Sequence, residues 1–266
     1  MQQSTIGQAI KASRIFYAIA LIAYACQQFY YGDFRPVFFP AWQSSLPMLK
    51  IWAWLLGIIF LVTAIAIITE KQAKTFSLLL GTILLLLFCL AHIPYELISD
   101  PYKNMLGAWT FPLKELALSG GAFMVAGSLA KQKSNAAFNF LEHLIPAGKV
   151  FFAITTTVFG ITHFVYTDFV SQLIPSWIPF KIFWTYFAGT LLILSGVCIA
   201  FNIKRREAAF ILSITILIWL LLLHIPRAIA DPVSNRGNEL ASAFDALSFA
   251  GIAFLIAAEP QGKPKI

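Results

Sequence analysis

Charged residues are scarce in this chain of 266 residues. Only 12% are Asp, Glu, Lys or Arg, whereas 59% are hydrophobic. A water-soluble domain usually carries about 25% charged residues, so this composition excludes an ordinary soluble domain. The mean hydropathy of +0.78 would expose a large hydrocarbon surface in water. The sequence therefore predicts an integral membrane protein whose first partner is the lipid bilayer.

Well-known catalytic signatures are also missing. The three cysteines form no Cys-x-x-Cys motif, and there is no phosphate-binding loop, dinucleotide fingerprint, Ser-His-Asp order or paired-carboxylate core. The four histidines lack a second histidine, or a Glu-x-x-His motif, at the spacing of a metal site. Haem or metal is therefore not favoured, and the cofactor and any catalytic activity stay open.

Long apolar runs are what the sequence has instead. Eight can be drawn, at about residues 15–31, 51–69, 76–95, 112–130, 150–166, 182–202, 208–226 and 244–258. Most have the roughly 17–25 residues that a helix needs to cross the hydrocarbon, and a helix satisfies its own backbone in lipid. The sequence thus predicts an all-α integral membrane protein with eight transmembrane helices. No charged residue lies at the middle of a run, which argues against a proton-coupled pump.

Basic residues are unevenly distributed between alternate loops. With the N-terminus inside, inside segments hold 12 of the 19 basic residues and four of the 12 acids. Their net charge is +8, and the remaining seven basic and eight acidic residues give −1 outside, which sums to +7. The positive-inside rule then predicts that both termini lie on the inner, cytoplasmic side of the membrane. The basic balance reflects this topology and anionic lipid, not nucleic acid.

The chain repeats itself at an offset of about half its length. The tripeptide His-Ile-Pro begins at His92 and again at His224. Two other patterns recur: Asp33-Phe34 with Pro40 and Trp42 matches Asp168-Phe169 with Pro175 and Trp177, and Trp52 with Gly57 matches Trp184 with Gly189. Repeats at a nearly constant offset indicate a tandem duplication.

The duplication predicts the domain organisation. We expect a first four-helix repeat at residues 1–130, a cytoplasmic linker at 131–149 and a second four-helix repeat at 150–266. Each repeat has an even number of spans, so both have the same orientation in the membrane. They should form two four-helix bundles related by a pseudo-twofold axis along the membrane normal.

The residues that both halves keep concentrate near the predicted outer ends of the spans. They are the candidate ligand-binding residues: His92, His224, Asp33, Asp168, Asp100, Asp231, Trp42, Trp177, Trp52 and Trp184. Span four opens near Glu115, and span eight opens near Asp245.

These candidates have two interpretations each. The histidines either end a helix before proline and bond a nearby Asp or carbonyl, or form a site, because ionisable groups in a membrane are usually functional. The tryptophans either form an interfacial aromatic belt or cover a pocket between the helices.

The second half resembles a known family. Its pattern from Gly160 through His163, Asp168 and Trp184 to His224 resembles the DoxX-like family of small bacterial four-helix membrane proteins. The first half looks like a more diverged copy. The resemblance implies a doubled four-helix unit associated with redox partners, since the family takes its name from a subunit of a thiosulfate:quinone oxidoreductase. It carries over no catalytic residues.

Three functional hypotheses follow. In the first, the protein is a redox-associated membrane subunit that holds a quinone near its outer face, where a histidine and an acid handle protons. In the second, it is a non-enzymatic scaffold or assembly partner for a membrane or periplasmic protein. In the third, it carries a small amphiphile. The resemblance favours the first.

The predicted topology can be tested by cysteine labelling. In a variant without native cysteines, Asn104→Cys should react with a membrane-impermeant maleimide in intact cells. Lys71→Cys should react only after the membrane is permeabilised, because the charge count places residue 71 inside. Labelling of Lys71→Cys alone in intact cells would reverse the orientation.

Overall fold

Ten α-helices account for most of the described part of the chain, residues 2–129 and 132–260 of a computed structural model, and no strand occurs there. The helices are α1 (Gln2–Tyr31), α2 (Leu49–Thr69), α3 (Ala73–Leu87), α4 (Thr110–Ser128), α5 (Ala147–Val165), α6 (Thr167–Leu173), α7 (Lys181–Ala200), α8 (Arg205–Trp219), α9 (Ile225–Ala230) and α10 (Ser234–Ala258). Four positions that belong to predicted span four, the linker or the charge count lie outside the described residues: 130, Lys131, Lys263 and Lys265.

Seven helical segments in these ranges are long and apolar enough to cross a membrane. They are Thr5–Tyr31, Leu49–Thr69, Ala73–Ser99, Ala147–Val165, Lys181–Ala200, Arg205–Ala230 and Ser234–Ala258. Many large apolar side chains on them are exposed, as contact with lipid requires. The all-helical fold is that of a multi-pass membrane protein.

The predicted fourth span, α4, is not among these seven segments. It contains Lys114 and Glu115 together with serine and small residues, so its hydropathy is low. Nearly all of its side chains are buried by neighbouring helices rather than exposed. A helix enclosed by protein does not need an apolar surface toward lipid, which explains why α4 is less apolar than its neighbours.

His-Ile-Pro does not end the helix in the first half. α3 continues into a π-helical turn, Phe88–His92, and another π-helical turn, Tyr95–Ser99, follows Pro94. The backbone N–H of Ile93 donates to the carbonyl of Phe88, five residues back. In an α-helix the ring of a proline clashes with the carbonyl four residues back, and the wider π-turn relieves this crowding.

The second half has a π-helical turn at the equivalent place. α8 continues into the π-helical turn Leu220–His224 and then into α9, and the N–H of Ile225 donates to the carbonyl of Leu220. Each histidine is thus the last residue of a π-turn inside a continuing helix. The interpretation of His92 and His224 as residues that end a helix is therefore wrong.

Helices α4 and α10 lie at the centre of the molecule and contact each other. α4 also contacts α3 and α5, while α10 also contacts α8 and α1. Around them, α1 packs on α2, α2 on α3, α5 on α7, and α7 on α8. Each half therefore places its first long helix against the last helix of the other half, so the two halves share one core.

Small residues allow this close packing. A Cβ added at Gly120 of α4 would lie 2.4 Å from the carbonyl oxygen of Gly148 in α5. A Cβ added at Gly251 of α10 would lie 2.6 Å from the carbonyl oxygen of Ser13 in α1. Real side chains do not tolerate such distances, so the backbones can approach only where glycine is present. Small residues serve membrane helix pairs in the same way.

Ion pairs tie the helices together at the end that carries the linker. Lys74 Nζ lies 2.8 Å from Glu142 Oε2, and Arg205 pairs with Glu259. Hydrogen bonds from Lys74 and Ser134 hold the pKa of the Glu142 carboxyl below its usual range. The opposite end, where both π-turns lie, is called the histidine end below.

Replacing Gly120 by alanine should weaken the contact between α4 and α5. The added methyl group clashes with the Gly148 carbonyl, and overpacking of this kind costs about 1–3 kcal/mol. The measurement is the free energy of unfolding in detergent, followed by circular dichroism. The control is Gly7→Ala in α1, where an added Cβ meets nothing within 4 Å. Equal stability of the two variants would contradict the close contact.

Candidate functional site

A cavity of about 710 Å³ lies in the second half of the molecule. Its walls come from α4, α5, α7, α8 and α10, and residues of α6 and of the segment 100–109 line it at the histidine end. In α7 the last residue that lines the cavity is Leu192, and in α8 the first is Leu212. The last turns of α7 and the first turns of α8 therefore do not contribute to the wall. The cavity therefore extends inward from the histidine end only.

Most of the cavity wall is apolar, but one part is charged. Lys114 of α4 and Asp245 of α10 both line it, and Lys114 Nζ lies 2.8 Å from Asp245 Oδ2. This contact is an ion pair. The hydroxyl of Tyr24 in α1 donates a short hydrogen bond to Asp245 Oδ1. Three helices thus meet at one carboxylate.

Two histidines also line the cavity. His224 lies at the end of its π-turn, and His163 lies in α5, where its Nδ1 donates to the carbonyl of Phe159 at 2.7 Å. The cavity therefore has a mostly apolar wall and a polar side formed by Lys114, Asp245 and His224, and His163 also lines it.

Asp245 lies in the interior of α10, not at its opening as the predicted span 244–258 implied. The helix begins at Ser234, before the apolar run. Its first turns carry polar residues, among them Glu239, which is held by Arg227 in two hydrogen bonds of 2.8 and 2.6 Å. Asp245 lies about two turns beyond Gly237, the last of three residues with left-handed backbone geometry near the start of α10.

The corresponding space in the first half is filled by the chain itself. After α1, the segment 33–39 turns into the bundle and buries Val37 and Phe38. The ring of Phe38 packs against Tyr24 and Phe60, with centroid distances of 5.0 and 4.7 Å. No comparable filling occurs in the second half, where the cavity lies.

His92 faces this segment from the first π-turn. Its Nε2 lies 3.3 Å from the carbonyl oxygen of Val37 and 3.6 Å from Glu115 Oε2. Both side chains are almost completely buried. The expectation that the histidine bonds a nearby carbonyl holds for His92. Glu115, the acid at the opening of predicted span four, lies beside it.

The four predicted aspartates are not gathered into one site. Asp33 is buried and pairs with Arg236. Asp100 lines the cavity and accepts a hydrogen bond of 2.6 Å from the backbone N–H of Tyr102. Asp168 is exposed in the first turn of α6.

Asp231 lies in the turn before α10 and plays a local role. Its carboxylate accepts a hydrogen bond of 3.0 Å from the backbone N–H of Ser234. Hydrogen bonds from Ser234 hold the pKa of Asp231 below its usual range. This residue orders the turn and does not line the cavity.

Among the predicted tryptophans, one belongs to the cavity. Trp184 lines it and packs edge-on against Trp219 at a centroid distance of 6.1 Å. Trp42 packs against Tyr95 at the histidine end, with a centroid distance of 5.8 Å. Trp52 and Trp177 are exposed and lie outside the cavity wall.

Sequence reasoning missed Lys114, His163 and Trp219 as cavity residues. None of them recurs in the other half, so a search for duplicated residues passes over them. The signal that was available for Lys114 was its position: a lysine inside an otherwise apolar run. Among residues 2–129 and 132–260, no group of three or more His, Cys, Asp or Glu residues is placed to hold a metal ion.

Comparison with known families gives one match. A family described as a domain of unknown function (DUF8561) matches residues 152–243. This stretch begins in α5 and ends in α10, so it covers most of the cavity wall. No curated protein and no solved structure matches the chain significantly.

Removing Lys114 should destabilise the protein strongly. Lys114→Met leaves the Asp245 carboxylate with only the Tyr24 hydroxyl, and an uncompensated buried charge costs about 3–5 kcal/mol. The measurement is the free energy of unfolding in detergent. The exposed Lys103 gives the matched control, Lys103→Met, which should change stability by at most about 0.5 kcal/mol. A similar effect of both variants would mean that the ion pair contributes nothing.

Proposed function

We propose that the protein is a redox-associated subunit of the bacterial inner membrane that binds a quinone or quinol in the second-half cavity. The observation that carries the proposal is the cavity's composition. Its walls are mostly apolar, yet Lys114, Asp245 and His224 all line it, and His224 interacts electrostatically with the other two. A quinone matches this pattern, because it joins a hydrophobic ring and tail to oxygen atoms that accept hydrogen bonds and exchange protons.

The size of the cavity supports a small-molecule ligand. Ligand pockets in proteins usually measure about 300–1,000 Å³ and are mostly apolar, with a few polar groups that orient the ligand. The cavity of about 710 Å³ falls in this range. Its position at the histidine end agrees with the outer site expected from the sequence.

Proton exchange in this proposal belongs to the residues of the polar side. The ring nitrogens of His224 can donate or accept a proton, and the Asp245 carboxylate contacts Lys114 and Tyr24. The chain has no redox motif of its own, so electrons would pass to or from a redox partner protein. The resemblance to the DoxX-like family supports this choice and stays a prediction.

The doubled architecture is also part of the proposal. Helix contacts occur in matching pairs: α1 with α10 and α4 with α5, α1 with α2 and α5 with α7, α3 with α4 and α8 with α10. These pairs support eight spans, with α4 as the fourth, and a pseudo-twofold axis that passes between α4 and α10. The repeats at residues 1–130 and 150–266 and the cytoplasmic termini complete the proposed arrangement.

The carrier hypothesis has less support than quinone binding. A carrier needs access from both sides of the membrane, and the cavity wall does not include the last turns of α7 or the first turns of α8. The scaffold hypothesis predicts no cavity with a polar side.

Binding of menadione, a small quinone, tests the proposal. Isothermal titration of the purified protein should give saturable binding, and Ala188→Trp should abolish it by filling the cavity. The control is Phe187→Trp on the same helix. The Phe187 side chain is 46% exposed and is not part of the cavity wall, so this variant should bind like the wild type. Absence of binding to the wild type would refute the proposed function.

A further inference from the structure

The two halves use one equivalent segment in opposite ways. In the first half, residues 33–39, which we call the plug, enter the bundle and fill it. In the second half, the equivalent residues 168–174 lie largely within the surface helix α6, where Phe169 is 65% exposed. The plug therefore occupies the space that is a cavity in the second half.

The local sequence explains this difference. Gly32 has a φ of +67°, which lets the chain turn sharply after α1, whereas Thr167 occupies the equivalent position and begins α6. Pro36 lies where the second half has Ser171. Proline inside a short helix removes a hydrogen bond and clashes with the preceding turn, so the first half cannot form a counterpart of α6.

The plug presents a specific chemistry to the bundle. The carbonyl oxygen of Val37 faces His92 Nε2 at 3.3 Å. Because a carbonyl oxygen only accepts hydrogen bonds, Nε2 is the donor. Next to this carbonyl, the ring of Phe38 lies between Tyr24 and Phe60. The bundle thus holds a carbonyl group with an adjacent flat aromatic ring.

The second half has residues equivalent to those that surround the plug, but no segment fills the space between them. In the repeat register, His92 corresponds to His224, Tyr24 to Phe159, and Phe60 to Leu192. These three residues of the second half all line the cavity. One histidine and two large apolar side chains therefore surround open space where their counterparts surround Val37 and Phe38.

We infer that the plug is an internal surrogate of the cavity's ligand. The cavity takes a molecule with a carbonyl oxygen that accepts a hydrogen bond from the imidazole of His224 and a flat ring that packs against Phe159 and Leu192. This inference rests on the proposed function and names the contact that recognises the ligand. Because the first half is closed by its own chain, each protein binds one such molecule.

Comparing a probe that has carbonyl oxygens with one that lacks them distinguishes this inference from purely hydrophobic binding. Menadione and methylnaphthalene share a fused ring and a methyl group, but only menadione has carbonyl oxygens. Both should bind the wild type. His224→Ala should lower the affinity for menadione roughly tenfold, as expected for a lost hydrogen bond in a buried site. The affinity for methylnaphthalene should stay unchanged. His224→Gln keeps an N–H donor and should recover part of the menadione affinity.

Further measurements complete the test. His143→Ala removes an exposed histidine of the linker and should change neither affinity. The titration should give one menadione per chain. If His224→Ala weakens both probes equally, or neither, or if two menadione molecules bind, the surrogate inference is wrong while quinone binding stands. If neither probe binds the wild type, the proposed function and the inference both fail.

Discussion

A carboxylate buried among apolar helices has to be compensated, and Asp245 imposes this requirement on the centre of the molecule. Transfer of an unpaired charge from water into such surroundings is strongly unfavourable. Asp245 is compensated by a lysine from α4 and a tyrosine from α1, so one side chain of α10 joins helices of both halves. The central position of α4 and α10, the low hydropathy of α4 and the polar side of the cavity all depend on this arrangement.

The two halves of the chain differ at the histidine end. A glycine and a proline direct the first half's segment inward, and a threonine and a serine keep the second half's segment at the surface as a helix. Both halves have a histidine at the end of a π-turn. The first half is closed and packed by its own chain, while the second half contains the cavity.

Much of the helical layout could be predicted from the sequence, because lipid-facing helices are recognisable by apolar runs. Leu49–Thr69, for example, lies within two residues of the predicted span. The start of α10 could not be predicted, because Ser234 and its neighbours are polar and Asn235, Arg236 and Gly237 adopt left-handed backbone geometry. Tertiary contacts such as that of Glu239 with Arg227 hold this segment. The burial of Phe38 could not be predicted either. A loop enters a bundle only when the tertiary structure leaves room, and local sequence does not report that room.

The two π-turns have a consequence for how an apolar helix can serve two environments. An α-helix advances about 100° around its axis per residue, and a π-turn encloses one residue more than an α-turn. Side chains beyond the turn are therefore rotated by roughly a quarter of a circle relative to an uninterrupted helix. The first π-turn itself contains the exposed Leu90 and ends at the buried His92. One backbone irregularity thus resets which side of a long helix faces the neighbouring helices, so the apolar pattern before it does not carry over to the residues after it.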